Sequence, residues 1–272
     1  MAPPLVMRGR RFPCTPGMDI LRQYHLSNEY VLRKTKELPT ATPRYVLVTG
    51  VDYVFYPSLR VSIHTIQQQF PAGSYRLIVY DLNGNLSRSG MGMLEELRQV
   101  CHVEVREFNS TERLHSTDPV LIEPHSFAWK VLSIAEVFKE LDASNELLIY
   151  FDSSIRFRSP VSEFSLYFDA MNHRTSSGEK KRLTPVQIGG SSGYSIQWAT
   201  HPTMYTWLPM DSLLGKLIMR EANFVDWRKT ETSRQLLKWA VLCAITPECI
   251  VPRGQRVACR SKDPAAEWTR AS

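Results

Sequence analysis

Apolar and polar residues along the middle of the chain fall into blocks whose period switches repeatedly. Tyr45–Val48 is a short apolar run ending in Thr49-Gly50-Val51-Asp52, which predicts a strand and then a small-residue turn where a ligand can approach the backbone. Pro57 opens a segment whose Leu59, Ile63, Ile66 and Phe70 share one helical face, and Pro71 ends it. The unit then recurs. Tyr75–Tyr80 reads as a second strand stopped by Asp81, Met93, Leu94, Leu97, Val100 and Cys101 as the inner face of a helix, and His102–Phe108 as a third strand. After a polar, proline-containing stretch over 109–125, Ser126 is placed to cap a helix with the stripe Phe127, Val131, Ile134, Phe138 and Leu141.

The segment ELLIYFDSSIRF, residues 146–157, organises the rest. Leu147–Phe151 is an unbroken apolar run, as in a strand covered on both faces. It stops at Asp152, which places a carboxylate at the carboxyl end of the sheet, the edge where open α/β sheets bind ligands. The plainer reading, Asp152 as a turn cap, stands beside it. Ile155 and Phe157 alternate with Arg156 and Arg158 as in a half-exposed strand. Strands alternating with helices predict an α/β fold, with a mostly parallel sheet and helices on both faces.

Around this core the pattern is weaker. Residues 1–44 read as an irregular basic lead-in with one helix near 18–37, residues 45–250 as the folded domain, and residues 251–272 as an irregular tail. After Pro160 the expectation is a short helix to Met171, a mobile charged loop over 172–182, and strands within 186–198 bent at Gly189, Gly190 and Gly193. Helices follow from Pro202, over 211–222 and over 232–245.

A chain of 272 residues, 43% apolar, can bury a sizeable core. The formal charge is +6, and residues 1–44 carry eight Lys/Arg against three Asp/Glu, so only about +1 remains for the rest. That balance, with no helix-turn-helix, zinc-finger or aromatic ribonucleoprotein pattern, argues against a nucleic-acid partner. The five cysteines include no CxxC pair and no histidine at zinc spacing, which leaves reduced thiols and disulfides both open. Asn85-Leu-Ser and Asn109-Ser-Thr are glycosylation acceptors by sequence and tilt the compartment towards secretion. No apolar stretch reaches transmembrane length, and the N-terminal MAPPLVMRGRR lacks an apolar signal core.

The chemistry narrows by elimination. The loop after the first strand has no second or third glycine, so its backbone cannot approach a pyrophosphate as in dinucleotide dehydrogenases. A methyltransferase is weakened in the same way, and a G-x-x-x-x-G-K-S/T phosphate loop is absent. What remains is a constellation: Thr49, Asp52, Asp81 and Asp152 at strand ends, converging on one sheet edge. Lys130 is the odd member. It lies in the first helical turn, where the macrodipole disfavours a cation, and neither Ser133 nor Ile134 offers it a carboxylate. Asp152, a bound diphosphate or solvent is the expected partner.

IVYDLNGN (78–85), SFAWKVLSIAEVF (126–138), YFDSSIRF (150–157) and ATHPTMYTWLP (199–209) resemble, in this order, the animal family of domain of unknown function 1647, itself similar to nucleotide-sugar glycosyltransferases of the GT-A fold. The resemblance covers residues 45–250. It implies a nucleotide-diphosphate sugar donor and a glycan or glycoprotein acceptor, in the secretory pathway or Golgi lumen. It places Asp152 at the first position of the Asp-x-Asp motif that holds Mn2+ or Mg2+, with Ser154 where the second carboxylate stands, so metal binding is incomplete and Lys130 is the alternative positive charge. Thr49, Asp52 and Asp81 would lie by the nucleotide, and Gly189, Gly190 and Ser192 on the acceptor side. His201 is either a base or, more simply, a residue that opens a helix. Family members continue past the region matching Leu236–Cys259, so a shortened C-terminus and a poor catalyst are expected. The competing reading is a non-catalytic relative that binds a glycan, a nucleotide or another protein.

Overall fold

In the computed structural model, which describes residues 8–30, 44–142, 146–163, 172–174, 180–182, 186–187 and 189–252, six strands form the main sheet of the described residues. They are β1 (Arg44–Val51), β2 (Tyr75–Leu82), β3 (Val103–Phe108), β4 (Glu146–Phe151), β5 (Val186–Gln187) and β6 (Phe224–Trp227), in the order β3-β2-β1-β4-β6-β5. The first four are parallel, while β6 runs antiparallel to both β4 and β5. This is the expected α/β class. The chain steps outward from β1 to β2 and β3, then returns to the other side of β1 as β4. The strand order therefore reverses between β1 and β4, and a crevice opens at their carboxyl ends.

The period-2 alternation within the strands divides the core in two. Val46, Val48, Ile78, Tyr80, Leu148 and Tyr150 face one layer, which holds helix α1 (Cys14–Gln23), helix α3 (Ala128–Glu140) and helix α4 (Glu231–Ala244). Tyr45, Leu47, Leu77, Val79, Leu147, Ile149 and Phe151 face the other layer, against Leu59, Ile63 and Ile66 of helix α2 (Tyr56–Gln69). Because β4 is buried on both faces, its sequence shows no alternation.

Several expectations are corrected. The helix awaited near 18–37 is Cys14–Gln23, and residues 31–43 lie outside the described set. Ser126 Oγ accepts from the Ala128 N–H at 3.3 Å and donates to the Leu121 carbonyl at 2.8 Å, but Phe127, at φ 56°, takes the N-cap position of α3 after a short 3-10 turn. No strand forms at 155–157; Phe157 instead plugs the core beside Phe151 and Phe224. Within the stretch read as a mobile loop, Asn172–Arg174 pairs antiparallel with Lys180–Arg182. The helix expected over 211–222 is one turn, Ser212–Gly215, and then a strand, Ile218–Arg220, paired with Ser191–Ser195. Beyond Pro247 a further helical turn, Pro247–Ile250, is tied to α4 by the Cys243–Cys249 disulfide. Of the helix read from Pro160, residues 164–171 lie outside the described set, as does the tail from 253 onward. Among the described residues, no helix is long and apolar enough to cross a membrane.

Candidate functional site

A cavity of about 150 Å³ occupies the crevice at the carboxyl ends of β1 and β4. Gly50 and Asp52 line it from the first strand, Asp152 and Ser154 from the central one, and Phe127, Trp129 and Lys130 from the start of α3. At its floor Lys130 Nζ donates to Asp152 Oδ1 at 2.7 Å, and the Tyr150 hydroxyl donates to the same oxygen at 2.7 Å. Asp152 Oδ2 takes no protein donor among the described residues. The Lys130 ammonium also lies over three rings, 4.7 Å from the Phe127 centroid, 5.5 Å from Tyr150 and 5.9 Å from Trp129. Cation–π attraction from these faces and the carboxylate together hold a cation that the helix dipole alone would repel. Burial, and then the charge of Asp152 beside it, push the Tyr150 hydroxyl well above its ordinary range. Tyr150 is therefore a fixed donor and not a base.

Local sequence explains how these groups meet. A Cβ on Gly50 would lie 2.3 Å from the Trp129 ring, so the glycine is required where the indole packs across β1. The indole Nε1 then donates to the Pro124 carbonyl at 2.9 Å, which anchors the start of α3 and delivers Lys130 to the crevice. The ring fills the side-chain position at Gly50, while Gly50 itself still lines the cavity. Phe127 carries a left-handed backbone that costs a non-glycine residue about 1–2 kcal/mol, and its 47% exposed ring sits on the cavity wall. Phe55, 54% exposed, lines the cavity as well. Arg156 braces the turn after Asp152: its Nη1 donates to Ser62 Oγ at 2.8 Å and to the Ser153 and Ile155 carbonyls at 3.2 and 3.0 Å, and its Nη2 to Ser58 Oγ at 2.9 Å.

Of the residues singled out from sequence, the structure brings Asp52, Lys130, Asp152 and Ser154 to this cavity. Asp52 Oδ1 also accepts from the Phe55 N–H at 3.0 Å. The remainder sit elsewhere. Asp81 is buried within β2 and accepts from the N–H groups of Leu86 and Ser87 at 2.9 and 3.4 Å, holding the short helix Asn85–Arg88. Thr49 is fully buried, and its hydroxyl has no hydrogen-bond partner among the described residues. A Cβ on Gly189 would lie 2.0 Å from the Glu221 carbonyl oxygen, the Gly190 carbonyl accepts from Glu221 N–H at 2.9 Å, and Ser192 Oγ donates to the Met219 carbonyl at 3.0 Å. These three residues join two backbone segments and do not line the cavity. His201 Nδ1 accepts from Thr203 N–H at 3.2 Å and opens the helix Pro202–Trp207, and burial lowers its pKa.

Sequence reading passed over Tyr150, Phe55, Phe127, Trp129 and Arg156 as members of the site. For Tyr150 a signal was present, since residues two apart on a strand share a face and its hydroxyl can reach the carboxylate of Asp152. The donor set suits a divalent ion poorly. Among the described residues no three His, Cys, Asp or Glu side chains gather to hold a metal, the hydroxyl of Ser154 is neutral, and an ammonium already occupies one oxygen of Asp152.

No family model matches the chain, and no curated protein matches it. Three similar solved structures are those of sugar transferases. The galactosyltransferase LgtC, in complex with donor and acceptor sugar analogs, is 12% identical over 75% of this chain and 70% of its own, with a TM-score of 0.41. Apo mouse xyloside xylosyltransferase 1 is 11% identical over 74% of each chain, with a TM-score of 0.39. The mannosyltransferase Ktr4p from S. cerevisiae is 10% identical over 89% of this chain and 74% of its own, also at 0.39.

Proposed function

We propose that this chain is a glycosyltransferase-like protein of the family its motifs resemble, and that it binds a nucleotide-diphosphate sugar in the β1–β4 cavity, with a glycan or glycoprotein as acceptor. The observation that carries the reading is the ammonium of Lys130 held against Asp152 at the floor of an aromatic-walled crevice. A diphosphate entering the crevice meets that ammonium, which stabilises charge on the leaving nucleotide as the bond from the sugar carbon to the diphosphate oxygen breaks. Asp152 Oδ2 is left to accept a ribose or sugar hydroxyl. Phe55 and Phe127 offer flat apolar faces for a base or a sugar ring. Mn2+ or Mg2+ would have Asp152 as its protein carboxylate, but the described residues supply no cage of three such ligands around it, so Lys130 is the positive charge offered to the diphosphate. A second reading, a binder without turnover, is favoured by Ser154 standing where a second carboxylate would be.

Titration calorimetry with nucleoside diphosphates, with and without manganese, tests the proposal. Losing a charge-assisted hydrogen bond of about 1.5–3 kcal/mol lowers affinity roughly 10- to 100-fold, so Lys130→Met is expected to weaken binding by that factor and Asp152→Asn to spare the diphosphate contact. Strict manganese dependence, untouched by Lys130→Met, would sink the lysine route. Intact binding without donor hydrolysis selects the second reading.

A further inference from the structure

We infer that Asn109 carries an N-linked glycan in the mature protein and that Asn85 does not. The two acceptor motifs are equivalent in sequence and opposite in surroundings. Asn109 stands exposed just after β3. Its Oδ1 accepts from Glu112 N–H at 3.3 Å, its Nδ2 has no protein acceptor among the described residues, and Thr111, the hydroxyl member of the motif, is also exposed. Asn85 is half-buried, and its Nδ2 donates to the Leu82 carbonyl at 3.0 Å. Leu86 beside it is buried, and Ser87 Oγ is committed to the Gly84 carbonyl at 2.9 Å. A glycan at Asn109 stands in water and leaves the helix cap intact. A glycan at Asn85 must prise open a turn that the buried carboxylate of Asp81 holds shut.

An independent observation supplies the compartment. Cys243 and Cys249 are both buried and joined as a disulfide, a bond that persists where the environment is oxidising, which is also where asparagine glycosylation takes place. In the transfer, Asn109 Nδ2 attacks the anomeric carbon of a polyprenyl-diphosphate-linked oligosaccharide. A C–N bond forms, the bond from that carbon to the diphosphate oxygen breaks, Nδ2 releases one proton, and the polyprenyl diphosphate leaves. Transfer precedes folding, so the fold acts as the filter, and chains modified at Asn85 fail to reach the disulfide-bonded state.

The test is to direct the full chain into the secretory lumen behind a cleavable signal, isolate the disulfide-bonded fraction and map its peptides after peptide-N-glycosidase treatment in heavy-oxygen water. Heavy-oxygen aspartate is expected at position 109 alone. The glycan-dependent gel shift should vanish in Asn109→Asp, which keeps the oxygen that caps the turn, and in Thr111→Ala, and persist in Ser87→Ala. An unmodified Asn109 in the disulfide-bonded fraction, or a glycan on Asn85 there, overturns the inference. Neither readout depends on nucleotide binding, so the inference stands or falls apart from the proposed function.

Discussion

Gly50→Ala is the substitution whose effect the structure specifies most closely. Glycine in a strand interior is destabilising by roughly 0.5–1 kcal/mol relative to alanine, so propensity alone expects this change to stabilise β1. The packing reverses the sign. The new Cβ would lie 2.3, 2.8 and 2.9 Å from three carbon atoms of the Trp129 ring. Ordinary carbon contacts begin near ~3.5 Å, so the ring must retreat by about 1 Å. The strand yields less readily than the ring, because Gly50 is paired with Tyr80 of β2 and the residues before it, up to Val48, are paired with β4 as well. Overpacking of this kind costs about 1–3 kcal/mol, and a moved indole also surrenders its hydrogen bond to the Pro124 carbonyl, worth about 1 kcal/mol.

A loss of about 3 kcal/mol lowers the melting temperature of a chain this size by roughly 6–12 °C. Calorimetric melting of Gly50→Ala, Trp129→Leu and the double variant measures it directly. The smaller leucine leaves room for the methyl group, so the double variant should recover about 1–2 kcal/mol relative to additivity. A Gly50→Ala protein that melts with or above the parent, with additive energies in the cycle, would refute the claim that Gly50 exists to admit the indole.

Three further outcomes follow from the same contacts. Arg156→Ala removes the brace under the Asp152 turn and should cost about 1–3 kcal/mol, with faster amide exchange confined to residues 152–157. Cys243→Ala with Cys249→Ala opens a short loop whose closure is worth about 2 kcal/mol, so a reductant should lower the melting temperature of the parent and leave that of the double variant unchanged. Burial pushes Tyr80 up to about 12; a pKa raised in the folded state gives stability that is whole below the unfolded value near ~10 and is lost as pH climbs through the folded value. Urea midpoints should therefore fall between about pH 10 and 12 by the equivalent of roughly 3 kcal/mol, and Tyr80→Phe should flatten that decline.

The legible parts of the fold are those where burial leaves a period. The apolar runs of β1, β2 and β4, the stripe of α2 and that of α3 from Val131 onward were readable because each faces a layer of core, whereas Phe127, read as the first member of the α3 stripe, is exposed. β6 was missed because Asp226, in mid-strand and buried, interrupts the apolar run that marks a central strand. Leu213, Leu214, Leu217 and Ile218 failed in the opposite direction: their spacing reads as a helical stripe, yet all four are exposed. Hydrophobic spacing reports what a face can bury and not whether anything covers it. The two strand-end carboxylates show the same limit. Asp81 and Asp152 each follow an apolar run, but two N–H groups a few residues on claim Asp81, and an ammonium and a phenol claim Asp152.

The anomaly at Lys130 carried most about the site, and its energetics indicate how a ligand could enter. A cation at a helix start is disfavoured by about 0.3–1 kcal/mol. Against this, a pair at 4 Å near a protein surface attracts by about 4 kcal/mol before desolvation is subtracted. Lys130 is 16% exposed and Asp152 33%, so desolvation is partial and the pair wins. An ammonium has three hydrogens, and Asp152 accepts one of them. The other two are available to a phosphate oxygen without breaking the pair, and if Lys130 does swing towards an anion, Asp152 keeps the Tyr150 hydroxyl at 2.7 Å. The phenol thus fixes the carboxylate while the lysine is shared. If the proposed diphosphate binds here, it would do so with little rearrangement of the site's own charges, and the affinity loss in Lys130→Met should then appear in the dissociation rate more than in the association rate.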